Sequence, residues 1–253
     1  MNERDWFQIA AYVGLLITFT PVLGGFMAKV FSGERTFLTS LLSPIERWIH
    51  RLAGCDPKTE MRWTTYATAL LLFNLLGFAV IFALQLCQGW LPLNPQKFAN
   101  VPLPLALNTA VSFMTNTNWQ AYSGEAVMSY MTQMLGLAVQ NFLSAATGIA
   151  VLLALTRGLA RRSAATLGSF WTDFVRSTLY VLLPLSLIFA LVLVSQGVVQ
   201  TFAPYADAVS LEGGAHQIPL GPAASQIAIK QLGTNGGGFF GIEHLLMQQG
   251  RTF

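Results

Sequence analysis

Charge is what this sequence has least of. Only 10% of its 253 residues are Asp, Glu, Lys or Arg, and 53% are hydrophobic, where soluble domains carry about 25% charged residues. This excludes an ordinary water-soluble domain, and the mean hydropathy of +0.53 points to a membrane. Cysteine and histidine are scarce. Cys55 and Cys87 fall in a loop and in an apolar run, no metal-ligand spacing includes them, and His50, His216 and His244 are scattered. Both cysteines read as structural thiols. Also missing are a GxxxxGK[ST] loop, the Asp-Lys pair of a phosphorylated ATPase, a Ser/His/Asp set and an HExxH pair, so the chain carries no machinery to hydrolyse ATP. The start, "MNERDWFQIA", has mixed charges and no small-residue cleavage site, and reads as a retained first helix rather than a signal peptide.

What is present is a set of long uncharged runs, at 6–28, 63–96, 126–156 and 177–206. Each holds the roughly 20 apolar residues needed to cross a bilayer core. They predict transmembrane helices near 7–28, 65–88, 128–156 and 178–199. The span cores hold no Asp, Glu, Lys or Arg, which argues against a proton-coupled carrier.

The net charge of +3 is sorted by loop rather than spread as a nucleic-acid footprint. Arg35, Arg47, Arg51, Lys58 and Arg62 lie in the 32–62 loop, and Arg157, Arg161, Arg162 and Arg176 follow the third span. The N-terminal tail has only Arg4, 92–125 only Lys97, and 200–238 only Lys230. Positive-inside sorting makes the first two loops cytoplasmic and the other segments external. Arg157, Arg161 and Arg162 read most simply as a stop-transfer cluster.

Between the spans lie two polar strings, "TNTNWQAYSGE" at 115–125 and "GTNGGGFFG" at 233–241, and they form a repeat. With one gap at Gly221, Pro104 aligns with Pro222, Ala106 with Ala224, Asn108 with Gln226, Ala110 with Ala228 and Val111 with Ile229. The same register sets Asn116, Thr117 and Asn118 against Thr234, Asn235 and Gly236. Each unit reads as a proline-started half-helix that stops in an Asn/Gly turn, an internal symmetry typical of transport proteins. A short helix presents orphan carbonyls and about half a negative charge at its C-terminus. Extended backbone beyond it adds oxygens that can replace an ion's hydration shell. Non-helical backbone at membrane depth is tolerated only when buried or lining a watery cavity. The plain alternative is a pair of ordinary external loops.

Other residues admit two readings. Trp119, Gln120 and Tyr122 either brace the first string or form an interfacial aromatic belt, with Gln120 the better bracing residue because a buried amide must find partners. Asn74, Gln133, Gln140 and Asn141 inside the spans either line an ion path or, the favoured reading, tie helices together. Glu125 faces outward, as a carboxylate that concentrates cations or as a mark of the membrane interface.

The strings "TNTNWQAYSGE", "QNFLSAATGIAVLLAL", "FWTDFVRSTLY", "LLPLSL" and "ASQIAIKQLGTNGGGFF" resemble the channel-like A subunit of the bacterial Kdp potassium-transporting P-type ATPases. So do "NERDWFQIAAYVGLL", "GERTFL", "EMRWTTYATALLLFNLLGF" and "LPLNPQKF", and the likeness runs to Phe240. It implies an all-α integral membrane protein of the potassium-transporter superfamily, whose members carry four pore units in one chain. It also implies K+ selected from the outside at a filter and passed to an ATP-hydrolysing B subunit, with a C subunit and a small F-type accessory subunit alongside. ATP and Mg2+ then belong to the partner, and the location is the bacterial inner membrane, with the N-terminus and both filters outward.

Carried over by residue, the potassium-binding segments fall on Asn116, Thr117, Asn118, Thr234, Asn235 and Gly236, with Trp119, Gln120, Tyr122, Gly124, Gly237 and Gly238 in support. The chain then divides into an extra first helix and cytoplasmic loop (1–62) and a first pore unit (63–165) with its filter at 115–124. An incomplete second unit (166–240) with its filter at 233–238 and an atypical tail (241–253) follow. The resemblance reaches only the family's N-terminal half, since "GIEHLLMQQGRTF" replaces the Asn-rich, His-Pro-containing continuation. A stand-alone channel or uniporter and a non-functional truncated fragment stand as alternatives.

Overall fold

In the computed structural model, residues 3–57, 59–160, 165–209 and 214–241 are described. Lys58, Arg161, Arg162, His244 and the tail beyond Gly241 lie outside them. Among the described residues, four helices are long and apolar enough to cross a membrane. They are α1 (Glu3–Ser32), α3 (Trp63–Cys87), α5 (Thr132–Ala160) and α6 (Phe170–Ser195). Shorter helices interleave them, among them α2 (Thr39–Leu52), α4 (Leu103–Met114) and α7 (Ala223–Leu232). Helix α4 packs on α3 and α5, and α7 packs on α6 and α5, so α5 lies between two like pairs.

Three apolar clusters fix this arrangement. Val30, Tyr66, Ala146, Ala150, Phe170 and Phe174 bind α1, α3, α5 and α6 at one end. Ile81, Ala106, Ala110, Phe113 and Leu137 seat α4 between α3 and α5. Tyr130, Ala223, Phe239 and Phe240 close the other end. Two of the long helices are locally widened to π-helical geometry, at Thr132–Ala138 and Ser177–Leu182, a distortion often found beside functional residues.

Several sequence expectations need correction. The fourth long helix begins at Phe170, not near 178, and takes Asp173 and Arg176 into its first turns. It tolerates them because both are paired. Arg157 meets Asp173 through two bonds of 2.5 and 2.8 Å, and Arg176 donates to Glu46 Oε1 at 2.9 Å. Tyr66 adds a bond to Asp173 (3.1 Å) and Tyr180 one to Glu46 (2.7 Å). Arg157 is thus a tie between α5 and α6, more than a stop-transfer charge, and Arg176 belongs to a helix rather than a loop. The 32–62 segment also contains α2, whose Leu42 and His50 are buried while Leu41, Trp48 and Leu52 stay exposed. Burial pushes the His50 imidazole below its ordinary value, with Glu46 opposing and Arg176 reinforcing the shift. Finally, Ala206–Val209 and Ala215–Ile218 form a short antiparallel hairpin in the otherwise helical chain, with Ala206 opposite Ile218.

Candidate ion-binding loops

Proline starts both half-helices. Pro102 precedes α4 and Pro222 precedes α7, positions where the missing N–H costs no helical bond. Their inner faces carry alanine at matched places: Ala106, Ala110, Ala224 and Ala228 are all 0% exposed. Small side chains let neighbouring backbones approach closely.

Both helices then end alike. Thr115, Asn116 and Thr117 donate their N–H groups to the carbonyls of Val111 (3.1 Å), Phe113 (3.3 Å) and Ser112 (3.0 Å). Gly233, Thr234 and Asn235 donate to Ile229 (2.8 Å), Gln231 (3.3 Å) and Lys230 (3.0 Å). The chain next turns left-handed at corresponding residues, with φ of 61° at Asn116 and 63° at Thr234, then 55° at Asn118 and 67° at Gly236. Left-handed backbone is uncommon for a residue with a Cβ, so three such residues and one glycine at matched places mark one shared path.

The two loops are stitched together. Asn235 Nδ2 donates to the backbone oxygen of Asn116 (2.8 Å) and to its Oδ1 (2.7 Å), while Asn116 Nδ2 donates to the Gly233 carbonyl (3.1 Å). Helix α5 joins the seam, with Ser144 Oγ donating to Asn116 Oδ1 (2.7 Å) and Asn118 Nδ2 to Asn141 Oδ1 (2.5 Å). Among the described residues, no donor reaches the backbone carbonyls of Thr117, Asn118, Thr234, Asn235 or Gly236. Two loops fixed against each other by side-chain amides therefore leave a set of main-chain oxygens open. Neutral carbonyls of this kind suit a weakly hydrated monovalent cation, and the two half-helix C-termini add negative potential.

The supporting residues divide. Gln120 Oε1 accepts from Lys230 Nζ at 3.0 Å. Gly124 is buried where a Cβ would collide with Gln133 Nε2 and the Phe239 carbonyl, so only glycine fits. Gly237 is left-handed (φ 72°) and its carbonyl accepts from Gln231 (3.3 Å), while that of Gly238 accepts from Lys230 (3.3 Å). The Tyr122 ring packs against the Phe113 cluster. Trp119 departs from the bracing expectation: the residue is 77% exposed, and among the described residues only its backbone N–H is engaged, donating to Ser112 Oγ at 2.6 Å.

Glu125 is not an outward-facing carboxylate. It is 5% exposed, and its Oε2 accepts the Gly241 N–H at 2.7 Å. Tyr205 donates to its backbone oxygen at 2.7 Å, and burial raises that phenol above its usual range, with Tyr130 and Glu125 adding to the shift.

Of the span amides, Asn74 turns back on its own helix at Leu70 and so neither faces the loops nor ties two helices, unlike the favoured reading. Gln133 bonds both Phe239 (3.3 Å) and Gln226 (2.9 Å), and Asn141 touches the first loop directly. Gln140 presses on Gly77 of α3, where a Cβ would collide with it. Sequence reasoning passed over Ser144 and Lys230. The signals were there: Ser144 lies one turn from Asn141, and Lys230 sits alone in an uncharged helix at the place Ser112 holds in the first unit.

The family model described as potassium-transporting ATPase A subunit matches residues 10–244. The chain is 58% identical over 242 residues to a potassium-transporting ATPase potassium-binding subunit of Pseudomonas syringae pv. tomato, covering 96% of this chain and 43% of the relative. The identity is 60% over 242 residues to the protein of that name in Pseudomonas entomophila, with the same two shares. It is 56% over 240 residues in Brucella anthropi, covering 95% of this chain and 42% of the relative. The chain thus spans less than half the length of these curated relatives. Four apolar helices and this match make it a multi-pass membrane protein, and the chain belongs to the potassium-transporting ATPase A subunit family.

Proposed function

We propose that this chain supplies the potassium-binding and translocating part of an ATP-driven potassium uptake system. The observation that carries the reading is the pair of matched left-handed loops with open carbonyls at 117–118 and 234–236. The family membership and the relatives' name, potassium-binding subunit, supply the ion.

In this reading the segments Asn116, Thr117, Asn118 and Thr234, Asn235, Gly236 bind K+, which loses part of its hydration shell to the open carbonyls of all but Asn116, whose carbonyl already accepts from Asn235 in the seam. Gln120, Tyr122, Gly124, Gly237 and Gly238 hold the loops, while the exposed Trp119 ring anchors the segment at the interface. The pore units occupy 63–165 and 166–240, after an extra first helix and cytoplasmic loop at 1–62. Positive-inside sorting orients the loops toward the outside of the inner membrane and the Arg157–Asp173 end toward the cytoplasm. A cation arriving from outside thus meets the loops first. The hydrolysis of ATP belongs to a B subunit, with C and F subunits completing the complex, because this sequence contains no nucleotide-binding or phosphorylation motif. Selection rests on replacing hydration by fixed oxygens, so loop geometry matters more than net charge.

The test is potassium uptake by a potassium-auxotrophic bacterium expressing the 253-residue chain with those subunits. Growth at low potassium that is lost in Gly236→Asp supports the reading. Potassium uptake without the ATPase subunit would favour a self-standing channel. Absence of growth, where a full-length homologue restores it, would overturn the reading for this chain.

A further inference from the structure

Lys230 has no part in the function argued so far, yet it is 0% exposed and lies between the two loops. Its ammonium donates to Gln120 Oε1 of the first string (3.0 Å) and to the Gly238 carbonyl of the second (3.3 Å). It also stands 5.3 Å from the centre of the Phe113 ring, which belongs to α4. Among the described residues no carboxylate lies within ion-pair reach of it. Burying an unpaired ammonium is costly, and in soluble or membrane interiors such a charge is kept only where it is held by dipoles that need it. Here the dipoles are one side-chain amide, one main-chain carbonyl and one aromatic face, drawn from both units of the repeat. The first unit has Ser112 at this place, whose hydroxyl reaches only its own loop, at the Trp119 N–H. The repeat is therefore symmetric in backbone and asymmetric in this tie.

We propose that Lys230 is a positioning residue that staples the two ion-binding loops, setting the spacing between their open carbonyls. The inference rests on the potassium-binding reading above for its consequence, and on geometry alone for the staple. The bonds bridge sequence positions 118 residues apart (Gln120 to Gly238) through a side chain from the helix that carries the second loop. Gln231, its neighbour, holds the adjacent Gly237 carbonyl, so the two residues together fix the exit of the second loop. A charged hydrogen bond is stronger and more directional than a neutral one, which suits it to holding two loops in register.

The test compares the wild-type chain in its complex with Lys230→Met, which keeps an unbranched stem but removes the ammonium, and Gln120→Leu, which removes the acceptor from the other side. Hydrogen exchange of amides 115–120 and 233–240 reads the staple without reference to any ion. Binding of potassium and of sodium to the same samples reads its consequence. The expected result is faster exchange in both loops for each variant, with the double variant no faster than Lys230→Met. With it comes about a tenfold loss of discrimination between potassium and sodium. Exchange unchanged in both variants, or raised only within α7, would overturn the staple. Loosened loops with unchanged discrimination would overturn the proposed setting of carbonyl spacing, as would an equal gain in affinity for both ions, which would mark Lys230 as a repelling charge only. Wild-type protein that binds no potassium, while Lys230→Met still loosens both loops, would instead refute the functional reading and leave the staple standing.

Discussion

The two loops follow the same backbone path by different chemistry. In the first, asparagines occupy both left-handed positions, and each side chain is tied down: Asn116 to Gly233, Ser144 and Asn235, Asn118 to Asn141. In the second, Thr234 and Gly236 take those positions and Gly237 adds a third left-handed residue. Nothing lies within 4 Å of a Cβ built on Gly236, so glycine is there for its backbone freedom and not for lack of space. The left-handed conformation costs a residue with a Cβ about 1–2 kcal/mol. The first loop offsets that cost with side-chain bonds of about 1 kcal/mol each, while the second avoids it at Gly236 and Gly237 and bears it at Thr234. The first loop is thus the braced one, and the second depends on it through Asn235 and Lys230.

Removing charge far from the loops sets the scale for breaking this comparison. Asp173→Asn leaves Arg157 without its buried partner at the opposite end of α5 and α6, and should cost about 3–5 kcal/mol in thermal or denaturant unfolding. The cation preference of the folded fraction should not move. Asn118→Asp strikes the braced loop. It removes the donor to Asn141 and sets a carboxylate against that residue's oxygen, 2.5 Å away in the native pair. A loss of about 3 kcal/mol is expected, together with lost potassium discrimination in binding assays. Asn118→Gly, which keeps the dihedral, should cost only about 1 kcal/mol.

Asn235→Ala tests the seam. Both of its bonds to Asn116 vanish, for about 2 kcal/mol, and hydrogen exchange should rise in the first loop as well as the second. Gly236→Ala isolates the backbone, since its Cβ meets open space. About 1 kcal/mol of strain is expected, with weakened ion binding and unchanged exchange in the first loop. The smallest effect belongs to Trp119→Ala. The residue is 77% exposed, so unfolding should shift by less than about 0.5 kcal/mol.

Much of the architecture was legible because lipid imposes it. Uncharged runs long enough to span a bilayer announced the four long helices, and the repeat of proline, alanine and Asn/Gly positions announced both half-helices. Boundaries failed where tertiary partners override composition. Asp173 and Arg176 looked like loop charges, but Arg157 and Glu46 make them acceptable inside a helix. Helix α2 was hidden because an amphipathic segment flanked by basic residues reads as loop when only apolar runs are sought. At the loops, residues chosen for their backbone were visible, since Asn and Gly in a turn signal unusual dihedrals. Residues chosen for a partner distant in sequence were visible only as oddities: Lys230 stands alone in its helix and Ser144 one turn from Asn141, but nothing near them in the chain reveals Asn116 or Gln120 as the partner.

The central claim is that both loops contribute oxygens to one cation site. Anomalous diffraction from crystals of the complex soaked in thallium(I), a heavy stand-in for potassium, tests it most directly. The account predicts a peak bounded by the carbonyls of 117–118 on one side and 234–236 on the other, lost in Gly236→Asp. A thallium peak elsewhere in the chain, with none between these loops, would contradict it.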